Sequence, residues 1–467
     1  MTQIPVRNPH TGEFDYAFLE PTKSELVSKV SRLRENQLDW SSLQVSDRGE
    51  ILRQFADGLA RHKDQLVEAL CIDTGRWRLS VMEVDALEAI THSRVNQAIT
   101  TLQTKRMQSE SDDISHLQVF VPYPVVGVIS PWNYPLILSF LDAVPALLAG
   151  CSVIIKPSEV TPRFIEAVNQ VLSDTVELGA VVDVVPGTAA TGNNLIDLVD
   201  AINFTGSVET GRQVATRAAN QLKPAFLELG GKDPAIVLES ADIERAAQAI
   251  LHCAMVNTGQ ACFSIERVYV HEALASKFID LISSLAEEIS LNTEDPAKGV
   301  IGPIISAKQI QVIDLHLKDA RNKKASFLTG GIIEHHGGSW LRPTVVTDVD
   351  HSMLLMRKET FAPIIPIMTF RKTSEAVYLA NDSEYGLSAA VFGDLDKSAA
   401  VALKLDAGGI YCNDVDLIGS AHESAEKMSF KNSGLGGSRY GPEGITRFTR
   451  KQSVVFQHGS GVTIDDL

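Results

Sequence analysis

The chain has 467 residues, and its 42 lysines and arginines against 58 aspartates and glutamates give a formal net charge of −16. That length exceeds what one hydrophobic core ordinarily organises, so two or three domains are predicted. The acidic balance argues against nucleic acid or an anionic membrane as the main partner.

The cysteines indicate reduced thiols. They are scattered and have neither CxxC nor metal-ligand spacing: Cys71, Cys151, Cys253, Cys262 and Cys412. This pattern argues against a disulfide framework or a metal site and favours a cytoplasmic location. The N-terminus has no signal-peptide pattern. The apolar stretch 136–149 is too short to span a membrane, so no membrane partner is expected.

The first part of the chain is predicted to be helical. Apolar residues recur at three- and four-residue spacing over 23–38, 46–74 and 77–103. We expect these helices to pack against the rest of the protein and to carry no chemistry. Residues 118–123 alternate before Pro124, which predicts an exposed strand or ribbon.

A first set of apolar strands separated by helices follows. Strands are predicted at 125–129, 151–155, 182–185, 201–204 and 225–229. Continuous apolar strands alternating with helices indicate a parallel sheet covered on both faces. Such a sheet binds ligands beyond the carboxyl ends of its strands.

A second set of apolar strands that alternate with helices predicts another domain of the same kind. Its strands are expected at 235–237, 267–270, 364–369, 389–392 and 409–412, and the tail 448–458 has a strand pattern. The predicted fold class is therefore α/β, with two doubly wound parallel-sheet domains.

Two loops carry candidate catalytic groups. Glu228 ends a predicted strand in Glu-Leu-Gly-Gly-Lys, and Cys262 ends the turn Asn-Thr-Gly-Gln-Ala-Cys. A carboxylate and a thiol at loop mouths suggest a nucleophile with a base nearby. On the residues alone, a structural strand-end carboxylate and a buried cysteine are the favoured interpretations.

Two further loops are candidates for binding an anionic cofactor. The chain has no GxGxxG fingerprint, but Lys156 and Glu159 follow one strand, and a glycine turn at 204–211 follows another. The glycine turn opens a helix whose free amides and dipole favour an anion. A solvated loop and an ordinary capped helix are the competing interpretations.

The pieces at 228–232 and 259–262, in this order and at this spacing, resemble the aldehyde dehydrogenase superfamily, and further motifs match from 8–13 to the C-terminal strand. The resemblance implies an NAD-binding domain at 1–103 and 124–230 and a catalytic domain at 231–427. It also implies a small β oligomerisation arm at 104–123 and 428–467, and hence a homodimer or homotetramer.

The resemblance implies NAD as cofactor. A glutamate at 159 would accept a hydrogen bond from the ribose 2′-hydroxyl and repel a 2′-phosphate. The implied cofactor-binding residues are Trp132, Lys156, Ser158, Glu159, Gly187, Gly206, Ser207, Leu229, Glu359 and Phe361.

The resemblance also implies a catalytic trio. Cys262 would attack the aldehyde, Asn133 would stabilise the oxyanion with the Cys262 amide, and Glu228 would activate the water that hydrolyses the thioester. The predicted function is oxidation of an aldehyde to its carboxylic acid. The alternatives are a coenzyme A-acylating relative, which needs no hydrolytic base, and a catalytically silent protein on the same fold.

The sequence departs from the family pattern chiefly near the substrate end. Met428-Ser429-Phe430 replaces the Gly-Gly that usually precedes Lys-x-Ser-Gly, Ala362 replaces a glycine, and position 413 is an asparagine instead of an aromatic residue. Cys151 also replaces an asparagine. The family pattern would put five residues near the mouth of the substrate tunnel: Tyr134, Leu141, Phe263, Asp416 and His422.

Overall fold

Two parallel sheets organise the molecule. The structure is a computed structural model, and it describes residues 2–110, 112–415, 417, 424–461 and 464. Asp416 and His422 lie outside these residues. Both sheets are covered by helices, so the predicted α/β fold class is confirmed.

The first sheet has six strands, and five of them are parallel. In spatial order they are Gly434–Leu435, Ala225–Glu228, Ala201–Thr205, Val125–Ile129, Ser152–Lys156 and Val182–Val184. The five parallel strands are those predicted. The sixth, Gly434–Leu435, pairs antiparallel with the end of Ala225–Glu228 and was not predicted. A two-residue strand has no periodicity to detect.

The second sheet has seven strands, in the order Ser326–Phe327, Thr344–Thr347, Ile364–Phe370, Ile265–His271, Asp233–Val237, Ser388–Phe392 and Gly409–Cys412. All are parallel except the short edge strand Ser326–Phe327. The five predicted strands are confirmed, and the two at one edge were missed.

The N-terminal helices are Lys23–Ser42, Val45–Arg61, Lys63–Thr74 and Trp77–Thr101. Thr22 and Glu25 form a capping box at the start of the first helix. Residues 46–74 are helical, as predicted, but they form two helices, because the backbone at His62 departs from helical geometry. A hairpin of Gln3–Arg7 and Phe14–Leu19, which was not predicted, precedes them.

The remaining helices cover the sheets and their loops. They are Pro135–Phe140, Ala143–Ala149, Phe164–Asp174, Val176–Val181, Ala189–Leu198, Val208–Ala219, Ile243–Met255, Glu272–Glu287, Ala307–Asn322, Leu354–Arg357, Thr373–Asn381, Leu395–Ala402 and Glu443–Thr446, with a 3₁₀ turn at Val256–Gly259. There are also two short antiparallel strand pairs, Ile333–His336 with Gly338–Leu341 and Tyr385–Gly386 with Phe430–Lys431.

A three-stranded antiparallel sheet stands apart from the two large ones. Thr449–Gln457 pairs with Ile114–Pro122, which pairs with Lys105–Gln108. The predicted ribbon and tail strand therefore exist, and they cover each other's edge. The outer strands Thr449–Gln457 and Lys105–Gln108 each keep one edge that pairs with no described strand.

Candidate active site

Two cavities meet at Cys262. The narrow cavity, of about 110 Å³, lies beyond the ends of strands Ala201–Thr205 and Ala225–Glu228. The wide cavity, of about 570 Å³, lies on the other side, against helix Trp77–Thr101. Cys262 and Leu138 belong to the walls of both. The thiol is therefore reachable from two directions.

The turn before Cys262 has an unusual backbone. Asn257, Thr258 and Gly259 all have positive φ, at 53°, 59° and 68°. This conformation costs roughly 1–3 kcal/mol for each non-glycine residue, so surrounding contacts must hold it. Thr258 donates from Oγ1 to the Gly302 carbonyl at 3.1 Å. A Cβ at Gly259 would stand 2.3 Å from Ala362, so this glycine is sterically required.

Cys262 is a protonated thiol in this environment. Burial raises the pKa of its side chain to about 12, although the field of Lys427 and Arg439 opposes the shift. Its surface accessibility is intermediate, because the cavities reach it. A thiol of this kind needs a base before it can act as a nucleophile at neutral pH. All five cysteines are free thiols.

Glu228 lies in the narrow cavity with Cys262, so the fold brings together two groups that are distant in the sequence. Its Oε2 accepts a hydrogen bond from Ser429 Oγ at 2.8 Å. Strand Gly434–Leu435 pairs antiparallel with Leu227 and Glu228, which places the altered 428–430 segment beside this carboxylate. Sequence reasoning noted that segment only as a departure from the family pattern.

The glycines after Glu228 allow close packing. A Cβ at Gly230 would stand 2.5 Å from the Glu359 carboxylate, and one at Gly231 would stand 2.6 Å from the Cys262 carbonyl. The Gly231 amide donates to Glu359 Oε1 at 3.0 Å. The Glu-Leu-Gly-Gly-Lys loop therefore carries the candidate base and contacts both the nucleophile turn and Glu359.

Asn133 is buried beside the nucleophile turn. Its Nδ2 donates to the Gln260 carbonyl at 3.0 Å, and Asn257 Nδ2 donates to the Asn133 carbonyl at 2.9 Å. An amide nitrogen carries two hydrogens, so Asn133 retains a second donor. The wall of the narrow cavity includes Asn133.

A buried ion pair holds the Asn133 loop in place, and sequence reasoning missed it. Arg76 Nη2 donates to the Asn133 carbonyl at 2.5 Å and to Glu83 Oε1 at 2.7 Å. Glu83 Oε2 accepts the amides of Leu136 and Ile137, each at 3.1 Å. Burial raises the pKa of Glu83 to about 7. The sequence signal for this ion pair was the presence of Arg76 and Glu83 in a helical region that was predicted only to pack against the rest of the protein.

Glu359 and Phe361 stand across the narrow cavity from the first sheet. Burial and then the neighbouring Glu266 raise the pKa of Glu359 to about 8. Glu266, buried against Lys232, accepts the Phe361 amide at 2.7 Å. The Phe361 ring meets Trp132 edge-on, with centroids 5.4 Å apart.

The loop after strand Ser152–Lys156 is organised by Lys156. Its Nζ donates to the carbonyls of Pro157 at 2.9 Å and Gly187 at 2.6 Å, and lies 3.4 Å from Glu159. Burial lowers the pKa of Lys156. Ser158 Oγ accepts the Val160 amide at 3.2 Å. A Cβ at Gly187 would stand 2.5 Å from the side chain of Thr191, so this loop packs closely on helix Ala189–Leu198.

Ser207 caps helix Val208–Ala219, since its side chain accepts the Thr210 amide. Gly206 donates its amide to the Glu228 carbonyl at 3.0 Å, and a Cβ on it would strike the Phe204 ring. Leu229 packs against Gly211 of that helix, where a Cβ would stand 2.5 Å away. The cap interpretation and the anion-site interpretation of this turn are compatible.

The predicted residues fall into two groups in space. Nine line the narrow cavity: Trp132, Asn133, Gly206, Ser207, Glu228, Leu229, Cys262, Glu359 and Phe361. Lys156, Ser158, Glu159 and Gly187 lie at the ends of the adjoining strands instead. At the other side, Tyr134, Leu141 and Phe263 line the wide cavity.

Known proteins resemble this chain over nearly its whole length. The aldehyde dehydrogenase family model matches residues 1–454. A provisionally named, NADP(+)-labelled succinate-semialdehyde dehydrogenase of Mycolicibacterium smegmatis is 33% identical over 456 residues, covering 96% of this chain and 88% of that protein.

Solved structures of aldehyde dehydrogenases also resemble this chain. A provisionally named aldehyde dehydrogenase, PutA, from Anabaena variabilis superposes with a TM-score of 0.97 at 48% identity, covering 99% of both chains. Betaine aldehyde dehydrogenase from Staphylococcus aureus, in complex with NAD⁺, gives a TM-score of 0.92 at 28% identity, covering 99% of this chain and 92% of that one. This chain belongs to the aldehyde dehydrogenase family.

Proposed function

We propose that the protein oxidises an aldehyde to its carboxylic acid with NAD, through a thioester on Cys262. The observation that carries this proposal is the position of Cys262 between two cavities, with Glu228 in the narrow one. A nucleophile reached from both sides can meet substrate from one and cofactor from the other.

The thiol must first lose its proton. Burial raises the pKa of Cys262 to about 12, so attack at neutral pH requires a base. We assign this role to Glu228, one of two glutamates that line the narrow cavity; the other, Glu359, accepts a hydrogen bond from the Gly231 amide. Cys262 Sγ then bonds to the aldehyde carbon, forming a thiohemiacetal. Asn133 Nδ2 and the Cys262 amide donate to the developing oxyanion.

Collapse of the thiohemiacetal leaves a thioester on Cys262. The nicotinamide ring, when bound, supplies the acceptor for the hydride. Once the proton taken from Cys262 has passed to solvent, Glu228 takes a proton from water, which attacks the thioester carbon and releases the acid. The free thiol is restored for the next turnover.

The residues present fit a dinucleotide. Ser207 and the amides at the start of helix Val208–Ala219 suit a pyrophosphate, because a helix N-terminus favours an anion. The three N–H groups of the Lys156 ammonium already have three acceptors. The longest of these contacts, 3.4 Å to Glu159, is the one that a ribose hydroxyl would replace. Glu359 and Phe361, on the opposite wall, suit the nicotinamide riboside.

NAD is the proposed cofactor in preference to NADP. The Glu159 carboxylate is partly exposed at the ribose end, with 42% side-chain exposure, and would repel a 2′-phosphate. The NADP(+) label of the Mycolicibacterium relative is the competing possibility for this chain.

A coenzyme A-acylating reaction is less well supported. Transfer to a thiol needs no hydrolytic base, whereas Glu228 lies beside the nucleophile and is held there by Ser429. Glu228, Asn133 and Cys262 together also argue against a silent scaffold.

We further propose a homodimer or homotetramer that functions in the cytoplasm. We keep the domain division implied by the resemblance, and we propose that the three-stranded sheet forms the interface between subunits. Strand Thr449–Gln457 has an open edge and exposes Val455 at 64%. Open apolar edges are usually covered.

The function is tested by following nucleotide reduction at its absorbance maximum with a panel of aldehydes and with NAD and NADP separately. Cys262→Ala should abolish the reaction while NAD binding persists by calorimetry, because the covalent step alone is lost. Cys412→Ala, a matched change at a cysteine outside both cavity walls, should retain most activity. Near-normal turnover by Cys262→Ala would refute the covalent mechanism.

A further inference from the structure

The wide cavity is built mainly from hydrocarbon. Its described wall includes the apolar side chains of Met82, Ile90, Ile137, Leu138, Leu141 and Phe263. A volume of about 570 Å³ lies within the ~300–1,000 Å³ typical of pockets for drug-sized ligands. A two- or three-carbon aldehyde would leave most of this wall without a partner.

The arginines of this wall are already engaged by the protein. Arg439 donates to both oxygens of the buried Asp142, at 3.1 and 2.7 Å. Arg94, also buried, donates to Gln97 Oε1 at 2.6 Å and to the Arg439 carbonyl at 3.1 Å. A substrate carboxylate would lose its hydration here and find these donors committed, which is costly.

A substrate cation is disfavoured for a different reason. The guanidinium of Arg76 lies 4.6 Å from the centroid of the Tyr134 ring, so a cation already stacks on this aromatic side chain. Asp414, the wall's carboxylate among the described residues, accepts the Val415 amide and lies 3.9 Å from Arg245.

We propose that the wide cavity selects an uncharged, apolar aldehyde of medium length, whose hydrocarbon part packs on the Ile90, Ile137 and Leu141 wall while its carbonyl carbon reaches Cys262. This inference rests on the proposed function and narrows its substrate class. Burial of each added methylene contributes about 0.8 kcal/mol, which corresponds to about a fourfold gain in kcat/KM.

Pairs of isosteric aldehydes test the charge preference directly. Succinic semialdehyde is matched by 4-methylpentanal, in which an isopropyl group replaces the carboxylate. Betaine aldehyde is matched by 3,3-dimethylbutanal, in which carbon replaces the quaternary nitrogen. We expect kcat/KM to favour the uncharged member of each pair by at least about tenfold, or 1.4 kcal/mol. Preference for either charged member would overturn the proposal.

A series from propanal to octanal tests the packing. Wild-type kcat/KM should rise about fourfold per methylene until the cavity is filled. Ile90→Gln puts an amide on the wall at similar size and should flatten this rise. Ile99→Gln is the matched control, since Ile99 lies on the same helix, is exposed, and is absent from the cavity wall. A flat wild-type series, or equal effects of the two variants, would refute the proposed wall.

The two levels of inference fail separately. If no aldehyde in either set reduces NAD or NADP, the proposed function is wrong. If charged aldehydes are oxidised well and apolar ones poorly, the function stands and only the substrate class is wrong.

Discussion

Ser429 Oγ donates a hydrogen bond to Glu228 Oε2 at 2.8 Å. The two residues belong to segments about two hundred positions apart, joined because strand Gly434–Leu435 adds to the edge of the first sheet. The segment that departs from the family pattern thus supplies a side-chain contact to the proposed base. A glycine at position 429 would have no side chain to make it.

Ser429→Ala should therefore slow deacylation. Loss of a hydrogen bond to a charged group is worth roughly 1.5–3 kcal/mol, so steady turnover should fall by about tenfold or more. The first turnover, which needs Glu228 only to take the proton of Cys262, should fall less, and a rapid-mixing experiment would separate the two phases. Ser429→Thr, which keeps the hydroxyl, should recover part of the loss. Equal slowing of both phases would indicate a merely structural contact.

Glu228→Gln should uncouple thioester formation from its hydrolysis. Glutamine keeps the size of the side chain but cannot take a proton from water, so steady turnover should fall roughly a hundredfold or more. Because Glu228 also takes the proton of Cys262, the NADH burst should be small at neutral pH and should grow toward one per active site as the pH is raised. Mass spectrometry should then show an acyl group on Cys262. Coenzyme A should not rescue this variant. Wild-type steady turnover would remove Glu228 from the mechanism.

The reactivity of Cys262 should depend steeply on pH. Because burial raises its pKa to about 12, the thiol form dominates throughout the neutral range. The thiolate fraction then rises about tenfold per pH unit below the pKa. Alkylation by iodoacetamide should therefore accelerate from pH 7 to 10 without a plateau, as measured by peptide mass spectrometry. A plateau above about pH 9 would show an ordinary thiol pKa of about 8.5.

Glu159 should set the preference for NAD. We expect kcat/KM with NAD to exceed that with NADP by at least about tenfold, or 1.4 kcal/mol. Glu159→Thr removes the charge that would face a 2′-phosphate and should narrow the gap. Glu177→Thr is the control, because that glutamate lies on helix Val176–Val181 and outside both cavity walls. Equal efficiencies in the wild type would mean that Glu159 does not face the ribose.

Assembly should depend on the open edge of the three-stranded sheet. Val455→Glu puts a charge on the exposed strand Thr449–Gln457 and should shift the mass measured by light scattering toward the monomer. Val176→Glu changes an equally exposed valine elsewhere and should leave the mass unchanged. A wild-type monomer at micromolar concentration would contradict the proposed oligomer.

The parallel strands were predictable from the residues, because continuous apolar runs such as Val125–Ile129 and Ala201–Thr205 are buried on both faces and leave a strong pattern. The sequence also pointed to Glu228 and Cys262, because a carboxylate and a thiol in predicted loops can be recognised from the order of the residues. The resemblance to a family supplied their expected roles and the candidate cofactor residues.

Tertiary structure decided what lies beside these groups. The contact of Ser429 with Glu228 and the hold of Arg76 and Glu83 on the Asn133 loop join segments that are not neighbours in the sequence. The placement of Cys262 between two cavities has the same origin. Such contacts depend on sheet order and on a two-residue strand, neither of which leaves a periodic signal in the chain.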